Sequence, residues 1–311
     1  MLIPFLSQYS PAQDRKWLAR FAEFLPEHTL QRHAEVAASA KTRVEVAIVA
    51  GPDPAQVLDY PNLKWVASTW AGVDSMLGAI PEHIGISRLV DPELSAKMGE
   101  AVLTAVLALH RQLPEYAAQQ ARREWRKLDY VKPAERTVGI LGLGELGRAS
   151  IDALRPRGFR LTGWSRTAKH LDGVACHRGA AGLREVLAKA DMLVCLLPLT
   201  DETRGLLNAE RLRVLPKGAS VINYARGPIL EERALLDALD RGHLRHAVLD
   251  VYDEEPLPRE HPYWSHPRIT VLPHVSALTD SRSAAELVAA DIRRYFASGT
   301  TPAFVDRALG Y

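Results

Sequence analysis

Apolar residues in this chain come in short unbroken runs, and the segments between them carry helical spacing. Residues 2–6 and 44–50 read as buried strands, and residues 17–25 place Trp17, Leu18, Phe21 and Leu25 on one helical face. A third strand, 63–68, runs into the turn Trp70-Ala71-Gly72-Val73-Asp74, and residues 97–110 form one long apolar helix. Residues 112–134 are polar and arginine-rich, and read as a connection into a second domain. Six further strands follow at 137–141, 160–164, 192–196, 219–223, 247–251 and 269–272. Helical segments separate most of them, and Pro198, Pro216, Pro228, Pro256 and Pro273 punctuate their ends. A last helix spans 280–297.

Regular alternation of strand and helix predicts parallel sheets covered on both faces. The expected fold class is therefore α/β, with two doubly wound parallel-sheet domains of Rossmann or flavodoxin type and a cleft between them. The last helix follows the final strand of the second domain, so it is expected to pack back on the first. That makes the substrate domain discontinuous, 1–98 with 278–311, around a dinucleotide-binding domain at 99–277.

Composition narrows the partners. The 311 residues suffice for about two domains, and 47% are hydrophobic, enough for real cores. A net charge of +2 points to neither nucleic acid nor a membrane surface. The longest apolar run, 101–109, is far short of the roughly 18 residues of a membrane span. The opening MLIPFLSQYSP lacks a basic leader region and reads as a first strand. Cys176 and Cys195 have no metal or redox spacing, which suits the cytoplasm and predicts no metal site.

The most informative stretch is TVGILGLGELG, at 137–147, where an apolar strand runs into G-x-G-x-x-G. Gly142 permits a tight strand-to-helix turn. Gly144 lets a pyrophosphate approach the backbone, and Gly147 lets the helix pack against the strand. Glu145 and Leu146 open that helix, whose free N–H groups face the anion. In a site for NAD(H) the next strand ends in an acid that binds the ribose hydroxyl. Here it ends in Ser165-Arg166-Thr167. Arginine with two hydroxyls suits a 2′-phosphate, so NADP(H) is preferred and NAD(H) is the alternative.

Three polar residues follow successive late strands: Arg226, Glu255 and His274. Ligands of open α/β sheets bind at the carboxyl ends of the strands. Their types suit reduction of a 2-oxo acid. Arg226 can clamp a carboxylate and carbonyl with its planar fork. His274 can protonate the alkoxide that hydride attack creates, and Glu255 can accept the other imidazole N–H and favour the charged ring.

With these segments in view, the chain resembles the D-isomer-specific 2-hydroxyacid dehydrogenases, and within them the glyoxylate/hydroxypyruvate reductase A branch. GILGLGELG, WSRT, LLPLTDETRGLLN, NYARG, LDVYDEEPLP, PHVSA, AGVDS and VDRALGY carry the likeness across nearly the whole sequence. The resemblance implies Arg226, Glu255 and His274 as catalytic residues. It further implies that backbone N–H groups of Ala71, Gly72 and Val73 hold the substrate carboxylate. Leu197 and Pro198 would line the adenosine and ribose, Ala225 would approach the nicotinamide half, and Asp250 would meet its carboxamide. A homodimer through the dinucleotide-binding domain is implied as well, and Trp125 is a candidate for the tryptophan that related reductases place near a partner's substrate, with a dimer-core or buried role as the alternative. The implied substrates are glyoxylate and hydroxypyruvate. A bulkier 2-oxo acid such as phenylpyruvate is the nearest rival, and a nucleotide-sensing binding protein without turnover is the rival from another class.

Overall fold

Runs of β-branched and apolar residues become parallel strands buried on both faces. A computed structural model describes residues 1–310, and the chain divides into two compact units, Met1–Leu94 with Thr279–Tyr311, and Ser95–Leu278.

The first unit contains β1 (Leu2–Ser7), β2 (Thr29–Arg32), β3 (Val46–Ala50), β4 (Trp65–Ser68) and β5 (Gly85–Ser87), in the order β2-β1-β3-β4-β5. Every pairing is parallel. Alternation along each strand sends side chains to two cores. Phe5, Ile48 and Trp65 meet Phe21 of the helix Pro11–Phe24 and Ala285, Val288 and Ile292 of the helix Ser281–Ser298. Leu6, Val49 and Val66 meet Val57, Met76 and Ile80 on the other face. The helix Ser281–Ser298 starts where Asp280 accepts the N–H groups of Arg282 (2.8 Å) and Ser283 (3.0 Å). It ends at Gly299, whose φ of 71° suits a residue without Cβ. Beyond it, Arg307 donates from its two terminal nitrogens to the carbonyls of Leu77, Ile80, Pro81 and Ile84, at 2.8–2.9 Å.

The second unit contains β6 (Thr137–Leu141), β7 (Arg160–Trp164), β8 (Val174–His177), β9 (Met192–Cys195), β10 (Ala219–Asn223), β11 (Leu244–Leu249) and β12 (Ile269–Val271). Their order is β12-β11-β10-β9-β6-β7-β8, again all parallel. Each sheet is thus doubly wound. The strand order reverses at β1/β3 in the first and β6/β9 in the second, and such reversals are where these folds place ligands.

Three strands go beyond the sequence expectation. β2, β5 and β8 are four residues long or fewer, and none offers an unbroken apolar run. Residues 112–134 are also more than a connection. They contain the helix Leu113–Arg122, with Pro114 in its first turn, where no N–H is needed, and three alanines in its body. Among the described residues no helix is long and apolar enough to cross a membrane.

Candidate active site

The glycine-rich turn is shaped by what its residues lack. At Gly142 φ is +101°, and a Cβ there would lie 2.7 Å from the Leu196 carbonyl oxygen. A Cβ on Gly147 would sit 1.9 Å from the Gly142 carbonyl oxygen, so the helix Glu145–Leu154 docks on its own turn. Gly144 differs: a Cβ there would meet nothing within 4 Å. It caps that helix with no side-chain hydrogen bond, so the first-turn N–H groups face an open surface beside an exposed Glu145 and half-buried Leu146. A bare, donor-rich backbone of this kind fits a pyrophosphate.

At the end of β7, the Ser165 hydroxyl donates to the Thr167 carbonyl at 2.7 Å, and the Ser165 N–H reaches the His177 carbonyl of β8 at 3.1 Å. These bonds shape a tight loop that carries half-buried Arg166 and exposed Thr167. No carboxylate stands at 165–167, and the donor chemistry fits a phosphate better than a ribose hydroxyl.

Arg226, Glu255 and His274 come together at the carboxyl ends of β10, β11 and β12. His274 Nδ1 lies 2.7 Å from Glu255 Oε2. The other carboxylate oxygen, Oε1, accepts the Tyr252 N–H at 3.0 Å. The hydrogen bond to Glu255 raises the His274 pKa above 6.5, against burial, which lowers it. Burial pushes the Glu255 carboxyl up, but the bonds from His274 and the Tyr252 N–H outweigh it and hold the pKa below 4.5. The positive charge of Arg226 reaches both members of the pair.

Local architecture fixes these side chains. Asn223 grips the Arg226 loop from both ends of its amide, donating to the Arg226 carbonyl (2.9 Å) and accepting the Ala225 N–H (3.1 Å). A Cβ on Gly227 would fall 2.1 Å from the Tyr252 carbonyl carbon, so only glycine lets the Arg226 and Glu255 loops pack together. His274 has φ +54°, in the left-handed region. Asp250, 2% exposed, secures that backbone by accepting the N–H groups of Val275 (2.7 Å) and Ser276 (2.9 Å). Sequence reasoning assigned Asp250 only to a carboxamide. It missed this second task, along with the parts played by Asn223 and Tyr252. The NYARG segment held the one available hint, an asparagine directly before the loop.

The remaining expected residues are spread more widely. Leu197 is buried in the core, half-buried Pro198 accepts the Thr203 hydroxyl at 2.7 Å, and Ala225 is buried. In the first unit Ala71 and Gly72 are half-buried and Val73 is buried, directly ahead of the helix Asp74–Leu77. Trp125 is 98% exposed. Among the described residues no group of three or more His, Cys, Asp or Glu side chains is arranged to hold a metal ion.

A histidine–carboxylate pair beside an arginine, on the same sheet edge as a glycine-rich anion turn, is the layout of a dehydrogenase. The family profile for the D-isomer specific 2-hydroxyacid dehydrogenase NAD binding domain matches residues 103–276. The chain belongs to that family. It is 38% identical to the glyoxylate/hydroxypyruvate reductase A of Serratia proteamaculans (strain 568), with 100% of both chains covered. Among solved structures, a D-isomer specific 2-hydroxyacid dehydrogenase from Xanthobacter autotrophicus Py2 in complex with NADPH and MES is similar to it. That likeness has a TM-score of 0.91 and 37% identity, covering 100% of this chain and 99% of that one. An NADPH-dependent glyoxylate/hydroxypyruvate reductase from Sinorhizobium meliloti in complex with NADP and sulfate also gives a TM-score of 0.91. It is 34% identical, with the same coverage.

Proposed function

We propose that this dehydrogenase reduces small 2-oxo acids with NADPH, converting glyoxylate to glycolate and hydroxypyruvate to D-glycerate. The observation that carries the reading is the 2.7 Å contact between His274 Nδ1 and Glu255. It orients the ring so that Nε2 is the atom that exchanges a proton with substrate, and it favours the charged ring. Full-chain similarity to a glyoxylate/hydroxypyruvate reductase A, to a dehydrogenase solved with NADPH and to an NADPH-dependent reductase supports the cofactor and substrate class.

In this reading the Gly142–Gly147 turn and the helix N-terminus hold the pyrophosphate, and Arg166 and Thr167 receive the 2′-phosphate on the loop that Ser165 shapes, its hydroxyl and N–H being already bonded to the Thr167 and His177 carbonyls. Bound NADPH supplies the hydride. The Arg226 guanidinium binds the substrate carboxylate and carbonyl oxygens and stabilises the negative charge that gathers on the carbonyl oxygen. His274 Nε2 then delivers the proton, and Glu255 steadies the imidazolium until the proton has left. Leu197, Pro198, Ala225 and Asp250 line the cofactor. The first unit serves as the substrate domain, its Ala71–Val73 turn offering N–H groups to the substrate carboxylate. The reading includes a homodimer through the second unit, and the exposed Leu113, Tyr116, Trp125 and Tyr130 there support it. Both cysteines are free thiols, which suits the cytoplasm.

Steady-state oxidation of NADPH and NADH with glyoxylate, hydroxypyruvate and phenylpyruvate tests the whole reading. Turnover is expected with the two small acids, at a higher kcat/KM for NADPH than for NADH. Equal or better use of NADH would overturn the role of Arg166. Nucleotide binding without turnover on any 2-oxo acid would overturn the reductase.

A further inference from the structure

The first unit carries an aromatic side chain that the reading above leaves without a task. Trp70 follows β4 and directly precedes Ala71, the start of the turn assigned to the substrate carboxylate. Consecutive Cα atoms are about 3.8 Å apart, so the indole is carried on the residue adjoining that turn. The outer edge of the ring packs against the chain at Gly51, just past β3: a Cβ on Gly51 would fall 2.1 Å from Trp70 Cη2 and 2.6 Å from Cζ3. Gly51 has φ +57°, so both its backbone and the overlying ring demand glycine.

Every handle on Trp70 is taken. Its indole N–H donates to the Tyr9 hydroxyl at 3.1 Å. Its backbone N–H donates to Ser68 Oγ at 3.0 Å, and its carbonyl accepts the Leu89 N–H at 2.9 Å. A ring bonded through its N–H, packed against Gly51 and carried on a backbone bonded at both its groups is a rigid wall, and rigid walls discriminate by size. Beside it lies a cavity of about 300 Å³ lined by Gln8, Gly51, Pro52, Trp70, Met76 and Ile80, largely apolar and at the carboxyl ends of β1, β3 and β4. A dry cavity of about 150 Å³ is enough to take up a benzene ring.

We propose that Trp70, pinned by Tyr9 and seated on Gly51, sets the size of the substituent this enzyme accepts on the carbonyl carbon of a 2-oxo acid. A hydrogen or a hydroxymethyl group stops short of the indole. An aromatic or branched substituent collides with it, although space for such a group exists immediately behind. The inference rests on the 2-oxo acid reading and on the Ala71–Val73 turn as the carboxylate site, and it adds the residue that decides between short and bulky members of that class.

The test is the ratio of kcat/KM for phenylpyruvate to that for glyoxylate, with NADPH saturating. In Trp70→Ala the ratio is expected to rise about tenfold or more, because a single methylene in an apolar pocket already changes discrimination by about 10–200-fold. Tyr9→Phe keeps the volume and only frees the indole edge. It should move the ratio the same way by about two- to tenfold, the worth of one hydrogen bond, and it stands in if the truncated chain fails to fold. An unchanged ratio in both variants of an enzyme that reduces glyoxylate overturns the role of Trp70 alone. A wild-type enzyme inert on every 2-oxo acid overturns the reductase reading and this role together.

Discussion

One edge of the second sheet is built in two ways. Beside β6 and β7 the working surface is main chain: Gly142, Gly144 and Gly147 matter for the atoms they omit, and the close approaches of 1.9 and 2.7 Å are to carbonyl oxygens. Beside β10, β11 and β12 the working surface is side chain: His274, Glu255 and Arg226, braced by Asn223, Tyr252 and Asp250. The first kind of site fails when a single carbon is added. The second fails when a charge or a proton is removed, even if shape is kept.

The largest expected effect is on the side-chain half. His274→Asn keeps a residue that tolerates φ +54° but removes the proton donor. We expect kcat to fall by about 10²–10⁴-fold, with NADPH affinity and the thermal midpoint nearly unchanged. Steady-state kinetics with fluorescence titration of the cofactor would check it, and a fall below tenfold would remove His274 from the chemistry.

Gly147→Ala addresses the main-chain half. The added carbon needs space already held by the Gly142 carbonyl, a backbone atom that cannot swing aside. We expect stability to drop by about 1–3 kcal/mol and NADPH binding to weaken with it, so here fold and ligand are lost together. Urea unfolding with and without NADPH measures both. An alanine variant as stable as wild type would show that the turn has slack.

Glu255→Gln makes the smallest change and reads out through pH. The Glu255 contact raises the His274 pKa, and the proposed mechanism draws its proton from the charged ring. The rate of reduction should therefore be level at low pH and fall as pH rises through that raised value. In the glutamine variant the falling limb moves to lower pH, and the rising limb of the reverse oxidation moves with it. Stability follows the same groups. The share from His274 is full below 6.5 and is lost as pH rises through its raised pKa. The share from Glu255 is full above 4.5 and is lost as pH falls through its lowered pKa. The pair thus favours folding most fully between about 4.5 and 6.5. A pH–rate profile identical in wild type and variant would separate Glu255 from the proton transfer.

The same contrast governs what the sequence discloses. Omitted atoms leave a spacing, and the glycines at 142, 144 and 147 announce a turn before any coordinate is known. Strand ends are legible in the same way, because a buried parallel strand is a nearly continuous apolar run, as in β3, β6 and β10. Short edge strands are not. β8 alternates too little over four residues to stand out, and β2 reads Thr-Leu-Gln-Arg. Bracing is the least legible layer. Asp250 acts on the N–H groups of Val275 and Ser276, twenty-five residues on, and main-chain donors carry no letter in the sequence. The left-handed backbone at His274 is hidden for the same reason: a non-glycine residue gives no warning of positive φ. The helix Leu113–Arg122 escaped because the polar, arginine-bearing stretch that follows it masked ordinary helix formers behind Pro114.

The helix Ser281–Ser298 completes a core begun at Ile3 and Phe5, and Arg307 ties the segment after it to four carbonyls between residues 77 and 84. On a ribosome this inverts the customary schedule. The stretch that emerges first must wait, one face of its sheet covered only by the helix Pro11–Phe24, while the whole intervening nucleotide-binding lobe is translated and free to fold. A chain truncated before residue 281 therefore exposes Phe5, Ile48 and Trp65 to holdase chaperones, and the full chain released from the ribosome does not.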